Sequence, residues 1–502
     1  MRVAASTVFG VALGDLPVHC LRHEVTGSWT FHLSEASAER SACGHQSPDA
    51  PSKQPAIDLD EFAARKLKVQ LDAPQLARTE DTQGTWSMIY DEGFEVHLGT
   101  TKFLAFNKFD GSVDADGNLD NYKSFCHETQ VGWYHDTAKD HFGCWVGTRA
   151  AAPSFVQTKS KSKRQQISIS ADGRAEVFIR AQEEDVMTEQ QHQQHVDKIN
   201  SVQDQWSATT YAHLMNKTRS ELNLRSGIPR AGKSNLRPDR TSFLQTADFQ
   251  ADQESRIAKL PQDFDWRNKD GKDYVGLAVD QGECGSCYVH AAIGMLSSRK
   301  RIVEDNPEAE GFSLQFPLFC SEYNQGCGGG FPELIAKWSQ DVGLVPESCS
   351  KYDLESQKCG VTCDMFLHEK WRVSDYGYTS GFYGAQPSVA DMMEEVHKRG
   401  PIAVALEPTD DFMYYSSGIF SHAAVLFDEW AKVDHAVLLT GWGEEDGKKY
   451  WRVQNSWGAD WGEQGTFRIA RGDDESAIEA QGVWATVEKT PELGNLAAYV
   501  QA

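Results

Sequence analysis

The 502-residue sequence contains no uninterrupted run of about 18 apolar residues, so it offers no candidate for a membrane-spanning helix. It is short of positive charge, with 49 Lys and Arg against 73 Asp and Glu and a formal net charge of −24. Nucleic-acid binding calls for basic patches, and this balance argues against such a partner. No internal repeat is visible. A second Cys-x-x-Cys is also missing: Cys284 and Cys287 form one such pair, whereas Cys359 and Cys363 form a Cys-x3-Cys. A zinc ribbon takes its ligands from two such pairs, so a metal site of that kind is disfavoured. A redox couple sits in a thioredoxin-like βαβ unit, and no such pattern precedes Cys284.

What the chain does have is 40% hydrophobic and 11% aromatic residues, enough for a substantial core spread over about three units. Its first 14 residues, MRVAASTVFGVALG, carry one Arg, a mildly apolar run and small residues at Ala12 and Gly14, and read as a secretory signal peptide. There are 11 cysteines, an odd number, which leaves one outside any intramolecular disulfide. The sequon Asn216-Lys217-Thr218 agrees with a secretory route and marks Asn216 as a glycosylation site.

From about 15 to 151 the pattern predicts strands: Trp29, Phe31 and Leu33 alternate with polar residues, and 94-FEVHL-98 and 103-FLAF-106 are bounded by turn residues. Residues 157–165 and 217–240 are loose and basic, as protease-sensitive runs are, and they bracket a cysteine-free piece that reads as removable. Within that piece 183–206 predicts a polar helix with an apolar stripe through Val186, Val196 and Ile199. Beyond Leu260 the chain turns compact. A buried helix is expected over 289–303, and strands over 435–443 and 449–458, joined at Asp446-Gly447.

In 281-QGECGSCYVHA-291 the remaining reading of Cys287 is a nucleophile, because a helix starting there lowers a thiol's pKa and a distant imidazole can complete the pair. Cys284-Gly285-Ser286-Cys287-Tyr288, with His435 and Asn455 downstream, resembles the signature of papain-like cysteine peptidases. The resemblance covers about 260–490 and includes 261-PQDFDWRN-268, 327-CGGG-330 and 455-NSWG-458. It implies that Cys287 is the nucleophile, His435 the general base and acid, and Asn455 the residue orienting the imidazole, with Trp457 shielding that bond. It further implies that Gln281 is the side-chain donor of the oxyanion hole and that Gly329 and Gly330 pair with substrate backbone. His290 and His422 carry no such motif.

The N-terminal part, through 15-DLPVHC-20, 27-GSWTF-31, 87-SMIYDEGFEVHL-98, 126-CHETQVGWYHD-136 and 143-GCWVG-147, resembles the exclusion domain of the dipeptidyl peptidase I (cathepsin C) branch. The implied fold is α+β, with an antiparallel β-barrel exclusion domain (15–151), an activation propeptide (152–259) and a two-lobed papain-like peptidase domain (260–490). The peptidase domain has a helical and a β-barrel lobe, and a tail (491–502) has no counterpart. The implied activity is release of dipeptides from free N-termini through an acyl-enzyme, Asp15 offering its carboxylate to the substrate ammonium. The implied disulfides are Cys20–Cys126, Cys43–Cys144, Cys284–Cys327, Cys320–Cys359 and Cys349–Cys363, leaving Cys287.

The same resemblance implies a homo-tetramer, maturation by an activating protease, no required cofactor, and a lysosomal, vacuolar or secreted location. Two other readings remain: an endopeptidase with an unrelated N-terminal module, and a non-catalytic binding protein on this fold. In that branch the S2 pocket holds chloride between two tyrosines. Tyr378 matches one, but Glu333 stands in place of the other and Gln481 replaces an apolar floor residue. A fixed anion beside a carboxylate is unfavourable, which sets Glu333 against chloride and predicts a more polar pocket that accepts polar or basic P2 residues. The alternative leaves Glu333 facing solvent and Gln481 bonded locally.

Overall fold

The computed structural model describes residues 18–45, 65–113, 119–149, 168–169, 175–176, 186–218, 221–222, 225, 246–423, 435–492 and 494–499. Asp15 and the N-terminal 14 residues lie outside them. Nine strands come first: β1 (Gly27–Leu33), β2 (Arg65–Asp72), β3 (Leu76–Arg78), β4 (Gln83–Ile89), β5 (Gly93–Leu98), β6 (Thr101–Val113), β7 (Leu119–Thr129), β8 (Gly132–Asp136) and β9 (His141–Arg149). All pairings are antiparallel. β6 pairs through its first residues with β8, β8 with β9, and β9 with β1, so the sheet closes into a barrel with β7 set on the far half of β6. Closure removes the unpaired edge that an open sheet would expose. The alternation in β1 works as expected, with Trp29, Phe31 and Leu33 inside. Phe31 lies 4.2 Å from Trp145 and Trp29 lies 5.1 Å from Phe94, ring centre to ring centre.

The helix Glu189–Val202 is capped by Thr188 and buries His192, Val196 and Ile199. Val186 is not part of its apolar stripe: it precedes the helix in a bridge to Thr218 and is 49% exposed. His192 takes the first position of an i, i+4, i+7 face with Val196 and Ile199, and its Nδ1 meets the Tyr414 hydroxyl at 2.8 Å. The strand Trp206–Ala208 then pairs antiparallel with Tyr415–Phe420, so this segment adds a strand to the second sheet.

That sheet belongs to the peptidase unit and orders its strands as Trp206–Ala208, Tyr415–Phe420, Thr466–Ala470, Lys448–Gln454, His435–Glu445, Ile402–Leu406, Gly482–Thr490, Lys370–Tyr378. The helices Cys287–Val303 and Pro332–Asp341 form the other lobe, and the first of them packs on His435–Glu445. Asp446 and Gly447, with φ of 52° and 78°, make the two-residue hairpin that links the two long strands. The second of these strands ends at Gln454, earlier than the alternation suggests. Asn455 turns its carboxamide back to its own chain, where Oδ1 accepts from Ser456 N at 2.8 Å, and the backbone leaves the sheet.

All 11 cysteines are described. Ten form the five disulfides Cys20–Cys126, Cys43–Cys144, Cys284–Cys327, Cys320–Cys359 and Cys349–Cys363, the same pairs that the resemblance implies.

Barrel and peptidase unit meet across a polar joint. Asp341, buried at the end of its helix, accepts from His135 of β8 at 2.9 Å, from Tyr323 at 2.7 Å and from Lys337 at 2.6 Å. Arg40 pairs with Glu322 and lies over the Tyr323 ring. The tail is part of this joint: Asn495 donates to the Asp341 carbonyl at 2.9 Å and accepts from Arg40 N at 3.1 Å, while Leu496 is buried. Among the described residues no helix is long and apolar enough to cross a membrane.

Candidate active site

Cys287 is the first residue of the helix Cys287–Val303 and is fully buried. Its sulfur therefore lies at the positive end of the helix dipole, and it also accepts the Ala436 N–H at 3.4 Å. Both features favour a thiolate. The residue before Ala436 is His435, the first of its strand, so the hairpin that carries the imidazole also lines the thiol. His435 Nε2 donates to Asn455 Oδ1 at 2.7 Å, which assigns the proton to that nitrogen. Nδ1 is buried with no hydrogen-bond partner among the described residues. Trp457 stacks on the imidazole at 4.9 Å and keeps water from the His–Asn bond. Burial pushes the imidazole down to about 4, the Asn455 bond opposes this, and the nearby charges of His290 and Arg225 add to it.

Gln281 is also fully buried. Its Oε1 accepts the Ser456 hydroxyl at 2.5 Å and its backbone N donates to Ser456 O at 2.9 Å, so the amide nitrogen must face the other way. That Nε2 donates to Cys284 O and to Arg225 O, each at 2.8 Å. Tyr352 braces the same strand of chain, donating to Gln281 O at 2.8 Å and meeting the Ser286 hydroxyl at 2.9 Å. The sequence motif drew attention to Asn455 and Trp457 and passed over Ser456 between them. Nothing in the sequence marks Tyr352.

The structure thus brings Cys287, His435, Asn455, Gln281 and Trp457 together. Gly329 holds φ of 127°, open to glycine and closed to most side chains, and a Cβ on Gly330 would come within 2.3 Å of Asn324 Oδ1. The barrel reaches this wall through Tyr90, whose ring lies 4.2 Å from Phe331, the next residue. Beside Tyr90, Asp91 anchors the start of the described chain: its backbone O accepts Cys20 N at 2.7 Å and its carboxylate meets His19 Nδ1 at 2.8 Å. Asn216 is exposed in a left-handed turn, with φ of 58°.

Glu333 does not face solvent: it is 3% exposed and accepts the Tyr378 hydroxyl. Two residues earlier on the same strand face, Tyr376 donates to Glu95 of β5, so paired tyrosines serve paired carboxyls, one from each unit. Burial first, then the charge of Glu95, hold the Glu333 carboxyl well above its usual range, while the bond from Tyr378 and the charge of Lys102 oppose this. For Glu95, burial is outweighed by His97, Lys102 and Lys337, which bring it down to about 2. One proton therefore resides on Glu333, beside an ionised Glu95. Gln481 is half-buried, its backbone O accepting Ala405 N at 3.4 Å.

A sequence model of the papain family cysteine protease matches residues 260–486, and one of the cathepsin C exclusion domain matches residues 15–149. A cathepsin C of Schistosoma mansoni is 31% identical over 93% of this chain and 94% of its own. The chain belongs to the papain family of cysteine proteases, in its cathepsin C branch. A dipeptidyl aminopeptidase 1 of Plasmodium falciparum is 22% identical over 94% of this chain and 93% of its own. Among solved structures, procathepsin B S9 of Trypanosoma congolense has a TM-score of 0.48 at 26% identity, covering 59% of this chain and 98% of that one. Membership makes the protein a cysteine-type dipeptidyl peptidase, and papain-family chemistry needs no cofactor.

Ser456→Ala is expected to lower kcat/KM on peptide substrates roughly tenfold, the scale of one buried hydrogen bond. Alkylation of Cys287 by iodoacetamide, which needs no oxyanion hole, separates positioning of Gln281 from a general structural loss, since only the latter slows it. Glu333 binds its proton more tightly folded than unfolded. Its contribution to stability is thus complete below its usual value of 4.5 and lost as pH rises. Thermal melts of Glu333→Gln should show a flatter decline than the parent between about pH 5 and 8.

Proposed function

We propose that this peptidase releases dipeptides from free peptide N-termini by thioester chemistry centred on Cys287. Cys287 passes its thiol proton to His435 Nδ1, the resulting thiolate attacks the scissile carbonyl carbon, and the carbonyl oxygen takes the electron pair while held by Gln281 Nε2 and the Cys287 N–H. His435 gives its Nδ1 proton to the leaving amine as the C–N bond breaks. Water then attacks the thioester, His435 accepts its proton, and the dipeptide leaves as its acid while the thiol is restored. Asn455 keeps the ring oriented throughout, and Gly329 and Gly330 pair with the substrate's backbone. The observation that carries this reading is the thiol at the helix start beside a histidine whose Nε2 is committed to Asn455.

Dipeptide register comes from the barrel. Asp15, exposed as the mature N-terminus by cleavage of the signal peptide after Gly14, presents its carboxylate to the substrate ammonium. The fixing of His19 and Cys20 at Asp91, next to the Tyr90 contact with Phe331, supports a seat for Asp15 at this end of the cleft. The piece from 152 to 259 is the activation propeptide, cut by a separate protease, and the mature protein is a tetramer in a lysosome-like compartment or outside the cell. Asn216 carries a glycan.

Glu333 and Gln481 give the S2 pocket its polar character. The hydroxyl of Tyr378 is already engaged by Glu333, so the residues present do not suit a chloride ion. Kinetics across dipeptide substrates varied at P2 should show polar or basic residues well accepted, and a strong apolar preference unchanged by Glu333→Tyr would overturn this assignment. For the activity itself, Cys287→Ala should abolish hydrolysis and N-acetylation of the substrate should nearly abolish it. Efficient cleavage of N-blocked substrates would instead identify an endopeptidase, and failure of a thiol-directed peptide inhibitor to label Cys287 a non-catalytic protein.

A further inference from the structure

The loop 280-DQGEC-284 carries an acid on each side of the oxyanion-hole glutamine, and both acids are engaged by bases from the chain's own upstream segment. Arg225 Nη1 lies 3.3 Å from Asp280 Oδ1, and Lys217 pairs with Glu283. The acids are half exposed, at 52% and 55% of their side-chain surface, so neither is a buried structural ion pair. Between them Gln281 Nε2 donates to the Arg225 carbonyl at 2.8 Å. A backbone carbonyl on that donor stands where the scissile carbonyl of a substrate would place its oxygen. Arg225 thus shows which side chain can accompany a carbonyl in this position: a cationic one, long enough to reach Asp280.

We infer that Asp280, assisted by Glu283, is a specificity-determining residue that favours Arg or Lys at P1, the residue whose carbonyl enters the oxyanion hole. Once the segment carrying Lys217 and Arg225 leaves, the loop presents two uncompensated carboxylates at the mouth of the hole. A cationic P1 side chain restores the pairing that the segment supplied. The charge of the whole chain, −24, points the same way by drawing basic peptides toward the surface. Asp280 has a second duty, since its Oδ1 accepts Gly282 N at 2.9 Å, and asparagine preserves that bond while removing the charge.

The inference rests on the peptidase reading, and its test keeps the two apart. The activated enzyme is assayed on Gly-Arg and Gly-citrulline coumarin amides, whose P1 residues differ in charge and hardly in shape. At low ionic strength kcat/KM is expected to favour arginine by about three- to tenfold, the scale that two exposed ion pairs supply, and the preference should shrink as salt is added. Asp280→Asn combined with Glu283→Gln should bring the ratio close to one. A ratio near one in the parent enzyme, or a preference that survives the double substitution, overturns the assignment even though hydrolysis of the citrulline substrate upholds the peptidase. Hydrolysis of neither substrate defeats both.

Discussion

Asp341 ends the helix that begins two residues after Gly330, and three of the groups that bond its side chain come from different places: Lys337 from its own helix, Tyr323 from the preceding loop, and His135 from the barrel. Burial would favour the neutral acid, yet Lys337, then His135 and Arg40, hold this carboxyl well below its usual range. Removing its charged partner Lys337 would leave the buried carboxylate uncompensated, at a cost of about 3–5 kcal/mol. The constraint acts on geometry as much as on stability. With His135 committed to Asp341 on one side and Asn495 to the backbone of the same residue on the other, the barrel has little freedom to slide along the peptidase unit.

That fixed placement brings the barrel against the wall of the candidate site at Phe331. Tyr90 reaches Phe331 because β4 and β5, whose turn carries it, belong to a barrel anchored nearby, and Tyr376 and Tyr378 reach two carboxyls from the two units because both point inward from one strand. The joint combines an ionised Asp341, held down by Lys337 and Arg40 among its neighbours, with a carboxyl at Glu333 that keeps its proton. The first demands charge complementarity, and the second depends on an acidic or near-neutral surrounding. The interface thus holds one buried acid in each protonation state.

Within the cleft a second bridge acts across the lobes. Ser456 joins Gln281 of the helical lobe to Asn455 of the β lobe, its hydroxyl fixing one carboxamide and its N–H the other. The Gln281 amide donor and the Asn455 carboxamide are therefore set by one short stretch of chain. With the upstream segment in place that donor faces a carbonyl of the segment, and the acids around it are paired. The segment is held further away by a strand pairing through Trp206–Ala208 and by the buried face of its helix, so the occupied donor reflects the whole docking arrangement.

By itself the sequence determined the family: the motifs of a thiol peptidase are local, and Cys287, His435, Asn455 and Gln281, which the structure brings together, could be singled out because each sits in a short stretch of its own. The alternation of β1 and the apolar run of the helix after Cys287 were legible for the same reason, since a period of two or of 3.6 is a property of neighbours in sequence. The misplacement of Val186 and the early end of the strand at Gln454 show the limit: a backbone bridge to Thr218 takes Val186 out of the helix, and the Asn455 carboxamide turns the chain out of the sheet. What only the tertiary structure decided are the meetings of distant residues: Ser456 with Gln281, Tyr352 with Ser286, Glu333 with Tyr378 and Glu95, Arg225 with Gln281, the tail with Asp341. Each is a hydrogen bond or ion pair between groups whose separation along the chain says nothing of their separation in space. Burial then fixes which of them carries charge, and burial is a property of the packed whole.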